Sequence, residues 1–104
     1  MPFEEWFRSL PTPLRQIVSK RLDRIEDGNF GDSEPVGDGV SELRIHIEKG
    51  LRVYYGQEGR RVVILLVGGD KSTQRKDIQN AKAYWNDWKQ RGTSSERPVG
   101  AAPT

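Results

Sequence analysis

Residues 42–67 read ELRIHIEKGLRVYYGQEGRRVVILLV, and this stretch decides the fold. Apolar and polar residues alternate over residues 42–47 and again over residues 51–55, which predicts two strands that each bury one face. The short link Glu48-Lys49-Gly50 joins these strands as a hairpin. Residues 62–67 are apolar throughout, which is typical of a central strand covered on both faces. The stretch therefore predicts a small antiparallel sheet of three or four strands.

Helical periodicity precedes this sheet. Apolar residues recur at helical spacing over residues 3–10 and again over residues 14–27, so we expect two helices packed as a hairpin on the sheet. Thr12 is the predicted N-cap of the second helix, because proline follows it. Residues 28–39 contain four glycines and a proline, which predicts a loop.

A last helix is predicted after the sheet, from about Thr73 to about Gln90. Residues 92–104 hold prolines and small residues without aromatics, which predicts a disordered tail and a single domain at residues 1–91. The fold class is thus α+β. The apolar side of the last helix is marked by Ile78, Ala81, Tyr84 or Trp85, and Trp88, and its tryptophans, like Trp6, are expected in a core or a partner interface.

Composition excludes several classes of protein. The 104 residues include no cysteine, which excludes disulfide scaffolds, thiolate zinc sites and cysteine catalysis. The longest apolar run is six residues and the first residues lack a signal-peptide pattern, so we expect a cytoplasmic protein without a membrane span. A net charge of +2 is small for a nucleic-acid binder, but residues 71–76 form a local basic run.

Two groups of polar residues are candidates for chemistry. Alternation places Arg44 and His46 on one strand and Arg52 and Tyr54 on the next, all on the same face, where two arginines could hold a phosphate. The alternative, a hairpin that simply exposes its polar face, remains open. A second group, Lys71, Thr73 and Gln74, lies at the predicted start of the last helix, where free N–H groups favour an anion. The alternative there is an ordinary capped turn.

No other motif indicates a cofactor. The sequence has one histidine, no cluster with metal-ligand spacing, no Walker-type loop and no Gly-x-Ser-x-Gly elbow. We therefore expect neither a metal nor a small-molecule cofactor.

Three motifs in this order resemble one family. GD-x-x-PVG-x-GV-x-ELRI at residues 31–45, RVYY at residues 52–55 and GGDK-x-TQ-x-x-DI at residues 68–78 are similar to addiction-module killer proteins, the HigB-type toxins of the RelE/ParE superfamily. The likeness covers about residues 3–91, and the combination is far more specific than any single piece.

The resemblance implies a helical hairpin on a small antiparallel sheet, in a cytoplasmic toxin encoded beside a helix-turn-helix antitoxin. It implies metal-independent cleavage of mRNA, mostly on the ribosome, by attack of the RNA 2′-hydroxyl on the adjacent phosphate. The family's active surface carries over to this chain at Arg44, Arg52, Tyr54, Lys71 and Gln74.

The resemblance also leaves alternatives. Relatives mostly begin with a short strand, whereas here Phe3 follows the start closely, so either the start codon lies upstream or an edge strand is lost. ParE-like members poison DNA gyrase instead of cutting RNA. A third reading is a non-toxic partner that acts only as a co-repressor with its antitoxin.

In-line cleavage needs charge stabilisation at phosphorus, a base and an acid. Arg44 and Arg52 suit the first role, with Lys71 in support. His46 has a reference pKa near 6.5, which suits proton transfer. Tyr54 and Lys71 require a lowered pKa, which we expect the neighbouring arginines to supply.

Overall fold

The computed structural model describes residues 2–47, 50–59 and 61–96. Its strands form one antiparallel four-stranded sheet in the order β1-β2-β3-β4. No helix in these described ranges combines the length and apolar character that a membrane crossing requires. In chain order the elements are α1 (Pro2–Ser9), α2 (Thr12–Glu26), β1 (Ser33–Gly37), β2 (Val40–Ile45), β3 (Leu51–Glu58), β4 (Arg61–Gly69), a 3₁₀ turn (Lys71–Thr73) and α3 (Gln74–Glu96). The predicted α+β class is confirmed.

The sheet carries an apolar core on each face. On one face α1 and α2 pack their apolar stripes against β2, β3 and β4, as the predicted helical hairpin on a sheet requires. On the other face α3 packs Ala81 and Trp85 against Val40, Tyr54 and Leu66. The face predicted to display polar side chains is therefore partly covered by α3, because burying apolar area on both faces stabilises a small sheet.

Two strand predictions require correction. The predicted loop at residues 28–39 contains β1, an edge strand, where Pro35 is tolerated because an edge residue need not donate to the ladder. The predicted central strand is β4, which pairs only with β3 among the described residues and so lies at the sheet edge. Its apolar composition reflects α1 on one face and α3 on the other.

Element ends also differ from the predictions. The hairpin strands span residues 40–45 and 51–58 rather than 42–47 and 51–55. Pro11, not Thr12, is the N-cap of α2, and no side chain caps that end. Helix α3 continues to Glu96 instead of ending near Gln90, so the predicted domain boundary at residue 91 falls inside it. The rest of the predicted tail, residues 97–104, lies outside the described residues.

Two tryptophans lie directly on glycines of the sheet, one on each face. A Cβ at Gly68 would fall 2.0 Å from the Trp6 ring, and a Cβ at Gly56 would fall 2.2 Å from the Trp85 ring. Trp88 stacks on Trp85 at 5.4 Å between ring centroids and is itself exposed. The missing side chains let α1 and α3 approach the sheet, and α3 thereby reaches the candidate site.

Candidate functional site

Arg44 and Arg52 lie directly opposite each other in the register of β2 and β3. Their guanidinium groups lie on either side of the Glu42 carboxylate, with Nε–O distances of 3.8 Å from Arg44 and 3.5 Å from Arg52. The side chain of Arg44 is 29% exposed and that of Arg52 only 12%. The strand alternation therefore does bring the two predicted arginines together, around an acidic residue.

Glu42 is the central acceptor of this cluster, and its side chain is only 4% exposed. Its Oε2 accepts hydrogen bonds from the Tyr54 hydroxyl at 3.0 Å and from Gln74 Nε2 at 2.8 Å. Gln74 is the first residue of α3, so this contact ties α3 to the sheet. These donors and the two nearby guanidiniums compensate the buried carboxylate for its lost hydration.

Sequence reasoning missed Glu42 as part of the site, although it placed the residue on the same strand face as Arg44. The available signal was its position two residues before Arg44, which alternation assigns to one face. Its burial was not predictable from this spacing, because Gln74 of the distant helix α3 contacts it in addition to Tyr54 and Arg52 of the hairpin.

On its outer side Arg44 contacts the acidic start of β1. Arg44 forms a close ion pair with Glu34, and its guanidinium lies 3.6 Å from Asp32 Oδ1. His46 lies just after β2, with its side chain 72% exposed, and its Nε2 is in close contact with the Asp32 carboxylate. The cluster thus divides into an inner half around Glu42 and an outer half around Asp32.

Tyr54 is fully buried on the α3 side of the sheet. Its pKa is raised above the usual value of 10, first by desolvation and then by the hydrogen bond and negative charge of Glu42. Arg52 acts in the opposite direction but is outweighed. The expected lowering of the Tyr54 pKa by the arginines is therefore wrong, since burial and the adjacent carboxylate disfavour the phenolate.

The residues at the start of α3 have separate roles. Asp70 caps the 3₁₀ turn by accepting from the Ser72 backbone N–H at 2.8 Å, and Thr73 Oγ1 donates to Asp77 at 2.5 Å. The predicted anion position at this N-terminus thus has a carboxylate of the chain on it, because Asp70 satisfies the free N–H there. Thr73 serves the cap, while Gln74 points to Glu42.

Lys71 is exposed and lies beside Arg52. The position of a Cβ on Gly50 is 3.2 Å from Arg52 Nη1 and 3.8 Å from Lys71 Cβ, so Arg52 of β3 and Lys71 of the 3₁₀ turn both lie close to Gly50. Arg52 Nη1 donates to the Gly50 carbonyl at 2.9 Å, which fixes the guanidinium there. Among the described residues of this cluster, Lys71 is exposed and Arg52 is only 12% exposed, whereas Arg44 is 29% exposed but engaged by the carboxylates of Asp32 and Glu34.

An exposed lysine close to a guanidinium that is held in place is suited to binding a phosphodiester. Arg44 can join only if a phosphate oxygen replaces Glu34. The outer His46 is 72% exposed and is held at the Asp32 carboxylate.

The residues of this site lie within the part of the chain that matches a known protein family. The family model described as phage-derived protein Gp49-like (DUF891) matches residues 5–86. An uncharacterized protein of Haemophilus influenzae is 45% identical over 83 residues, which are 79% of this chain and 84% of that protein. No solved structure is significantly similar to the chain.

The fold and the match assign the chain to the class of RelE/ParE-like toxins of toxin-antitoxin systems. Within that class, the chain belongs to the Gp49-like family. An antitoxin as partner is consistent with this family.

Proposed function

We propose that this protein is a HigB-type toxin and a metal-independent endoribonuclease. It cleaves mRNA on the ribosome, in the cytoplasm, until an antitoxin with a helix-turn-helix domain neutralises it. The observation that carries the proposal is the opposed pair of Arg44 and Arg52, anchored on buried Glu42 with Lys71 beside it. Membership in a toxin family supports the same conclusion.

In this proposal Arg52 and Lys71 bind the scissile phosphate and stabilise the charge that develops on it. Arg44 adds a second guanidinium once the phosphate displaces Glu34. Gln74 and Tyr54 hold Glu42, and Glu42 in turn orients the arginines. Thr73 supports the site only through the turn that carries Lys71 and Gln74. Proton transfer is assigned to His46, the exposed imidazole of the cluster.

The pairing of Arg44 with acidic residues has a functional consequence. An RNA phosphate must compete with the Glu34 carboxylate for the same guanidinium. Free RNA is therefore expected to bind weakly, and a ribosome that presents mRNA at high local concentration is the better substrate.

The decisive experiment is induction of the protein in cells, followed by primer extension on mRNA and a gyrase supercoiling assay on purified protein. We expect growth arrest and new mRNA 5′ ends, with supercoiling unaffected. Lys71→Ala should retain the fold, because Lys71 is exposed, and should reduce cleavage about tenfold or more. Arg52→Lys tests the bidentate guanidinium, with urea unfolding as a check on its stability. Arg24→Ala, an exposed charge on α2, is the matched control.

Other outcomes assign other functions. Double-strand DNA breaks and inhibited supercoiling without new mRNA ends would assign ParE-like gyrase poisoning. Absence of toxicity would assign a co-repressor role. Unchanged mRNA cleavage by both site variants at equal protein level would refute the proposed phosphate site.

A further inference from the structure

Asp32 and His46 come from segments that are distant in sequence but adjacent in the sheet. Asp32 directly precedes β1, and His46 directly follows β2. The antiparallel pairing of Ser33 with Leu43 brings the two ends together, and the Arg44 backbone N–H donates to the Asp32 carbonyl at 2.9 Å. The Asp32 carboxylate thereby lies between Arg44 Nη2 and His46 Nε2.

We propose that Asp32 is a positioning residue that holds the His46 ring and selects its tautomer for proton transfer at the scissile bond. This inference rests on the proposed ribonuclease function and adds a residue to it. Its basis is geometric: a carboxylate accepting from Nε2 fixes the ring plane, while the His46 side chain as a whole remains 72% exposed. A carboxylate behind an imidazole is an arrangement that orients a general base.

The tautomer follows from the hydrogen-bond partners. An ionised carboxylate only accepts hydrogen bonds, so the neutral His46 ring carries its proton on Nε2. The lone pair is then on Nδ1, the nitrogen not engaged with Asp32. Nδ1 is therefore the atom that receives the proton of an RNA 2′-hydroxyl.

The imidazole and the cations that face Asp32 keep its carboxyl group ionised, and the neighbouring Glu34 carboxylate is paired with Arg44. The pKa of Asp32 is held below its usual value, first by the hydrogen bond from His46 and further by Arg44 and Arg21, although burial opposes them. Arg21 of α2 donates to the Arg44 carbonyl at 3.4 Å, and Glu34 of β1 pairs with Arg44. The carboxylate needed to orient His46 is thus present at neutral pH.

Cleavage exchanges one phosphorus–oxygen ester bond of the RNA for another. The O2′–H proton passes to His46 Nδ1, the O2′ electron pair forms a bond to phosphorus, and the P–O5′ bond breaks with its pair on O5′. O5′ takes a proton from water, and the resulting hydroxide takes the proton from the His46 imidazolium. The products are a 2′,3′-cyclic phosphate and a free 5′-hydroxyl, and no net proton is consumed.

The first test reads the tautomer without any activity. His46 is the only histidine of the chain, so long-range ¹H–¹⁵N NMR of the full-length protein reports a single ring. We expect the neutral wild-type ring to be protonated on Nε2, and Asp32→Asn to populate the Nδ1–H form because an amide can donate as well as accept. The control is Asp38→Asn, an equal charge change at a turn with φ of +58°, which asparagine tolerates. A wild-type ring protonated on Nδ1, or an Asp32→Asn ring like wild type, would overturn the inference.

The second test is kinetic and uses programmed ribosomes as substrate. Asp32→Asn should lower kcat about tenfold to a hundredfold with little change in KM, and Asp32→Glu should restore part of it. Asp38→Asn should behave as wild type. If wild type cleaves and His46→Gln cleaves equally well, the assignment of His46 and Asp32 fails while the nuclease stands. If the wild-type protein cleaves no RNA, the proposed function fails. The NMR result then still decides whether Asp32 selects the tautomer of the His46 ring.

Discussion

At the scale of single residues, Glu42 shows how a buried charge is retained. Its carboxylate has two hydrogen-bond donors and two guanidiniums around it, which come from β2 itself, from β3 and from α3. An isolated carboxylate in this position would cost several kcal/mol of desolvation free energy. The cluster therefore organises the candidate site and joins β2, β3 and α3.

Removing this carboxylate should destabilise the protein strongly. Glu42→Ala leaves the Arg52 guanidinium and the Tyr54 hydroxyl without their acceptor, so we expect the free energy of unfolding to fall by about 3 kcal/mol. Glu42→Gln keeps an oxygen for Tyr54 and should cost about half of that. Urea unfolding measures both, with exposed Glu26→Ala as control. A Glu42→Ala protein as stable as the control would contradict the role of this cluster.

Burial of Tyr54 should make the stability of the protein depend on pH in the alkaline range. Because its folded pKa is raised above the unfolded value of 10, stability from the neutral phenol is fully present below pH 10 and is lost as the pH rises above it. Above pH 10 the free energy of unfolding of the wild type should fall with pH more steeply than that of Tyr54→Phe. The difference between the two slopes should reach up to about 1.4 kcal/mol per pH unit. Urea unfolding at pH 8 to 11 measures the two slopes.

The same variant separates a structural from a catalytic tyrosine. Near pH 7 Tyr54→Phe should cost about 1 kcal/mol of stability, the net value of one hydrogen bond, and should lower cleavage by less than about tenfold. A loss of a hundredfold or more at unchanged stability would instead make Tyr54 a participant in proton transfer.

At the scale of elements, the close approach of α1 and α3 to the sheet depends on small residues. Trp6 of α1 covers Gly68, and Trp85 of α3 covers Gly56, from opposite faces. These contacts fix the heights of both helices above the sheet. Since Gln74 belongs to α3, the glycine under Trp85 also helps to set the distance between Gln74 and Glu42.

Adding one methyl group under α1 should therefore be costly. Gly68→Ala places a Cβ 2.0 Å from the Trp6 ring, and we expect a loss of about 2 kcal/mol from overpacking. A smaller side chain at residue 6 should relieve the clash. Gly68→Ala combined with Trp6→Leu should therefore lower the free energy of unfolding by less than the sum of the two single changes. Thermal or urea unfolding of the wild type, the two single variants and the double variant completes this double-mutant cycle. Strictly additive changes in the free energy of unfolding would show that the two residues do not interact.

At the scale of the whole molecule, the distribution of charge matters more than its sum. The net charge is only +2, yet Arg44, Arg52 and Lys71 converge at one end of the sheet. Acidic residues of β1 and β2 partly neutralise this cluster. Binding of RNA should therefore depend on few cations, and it should be sensitive to salt but modest in strength.

The small number of cations at the candidate site predicts how RNA binding depends on salt. With about three phosphate contacts, affinity for a short single-stranded RNA should fall roughly twentyfold between 50 and 200 mM salt. Lys71→Ala should reduce that fall to about sevenfold, because one contact is lost. Fluorescence anisotropy measures both, and Lys20→Ala on α2 serves as control. An unchanged slope in Lys71→Ala would exclude Lys71 from the phosphate contacts.

The local sequence pattern predicted correctly those features that depend on a single helix or strand. The strand alternation correctly placed Arg44 and Arg52 on one face, and their register makes them direct neighbours. It failed for β1, because Pro35 and several glycines mask an edge strand that exists only through pairing with β2. It also failed at the start of the last helix, where Asp70 caps a 3₁₀ turn that precedes α3 and Thr73, the predicted N-cap, lies within that turn.

The amino-acid sequence by itself determined the α+β class, the hairpin and the faces of its strands, because periodicity is a property of neighbouring residues. Only the tertiary structure decided that Glu42 and Tyr54 are buried and that Asp32 meets His46. Burial depends on which distant element covers a face, and the coverage by α3 and the pairing of β1 with β2 arise from contacts between segments far apart in the chain.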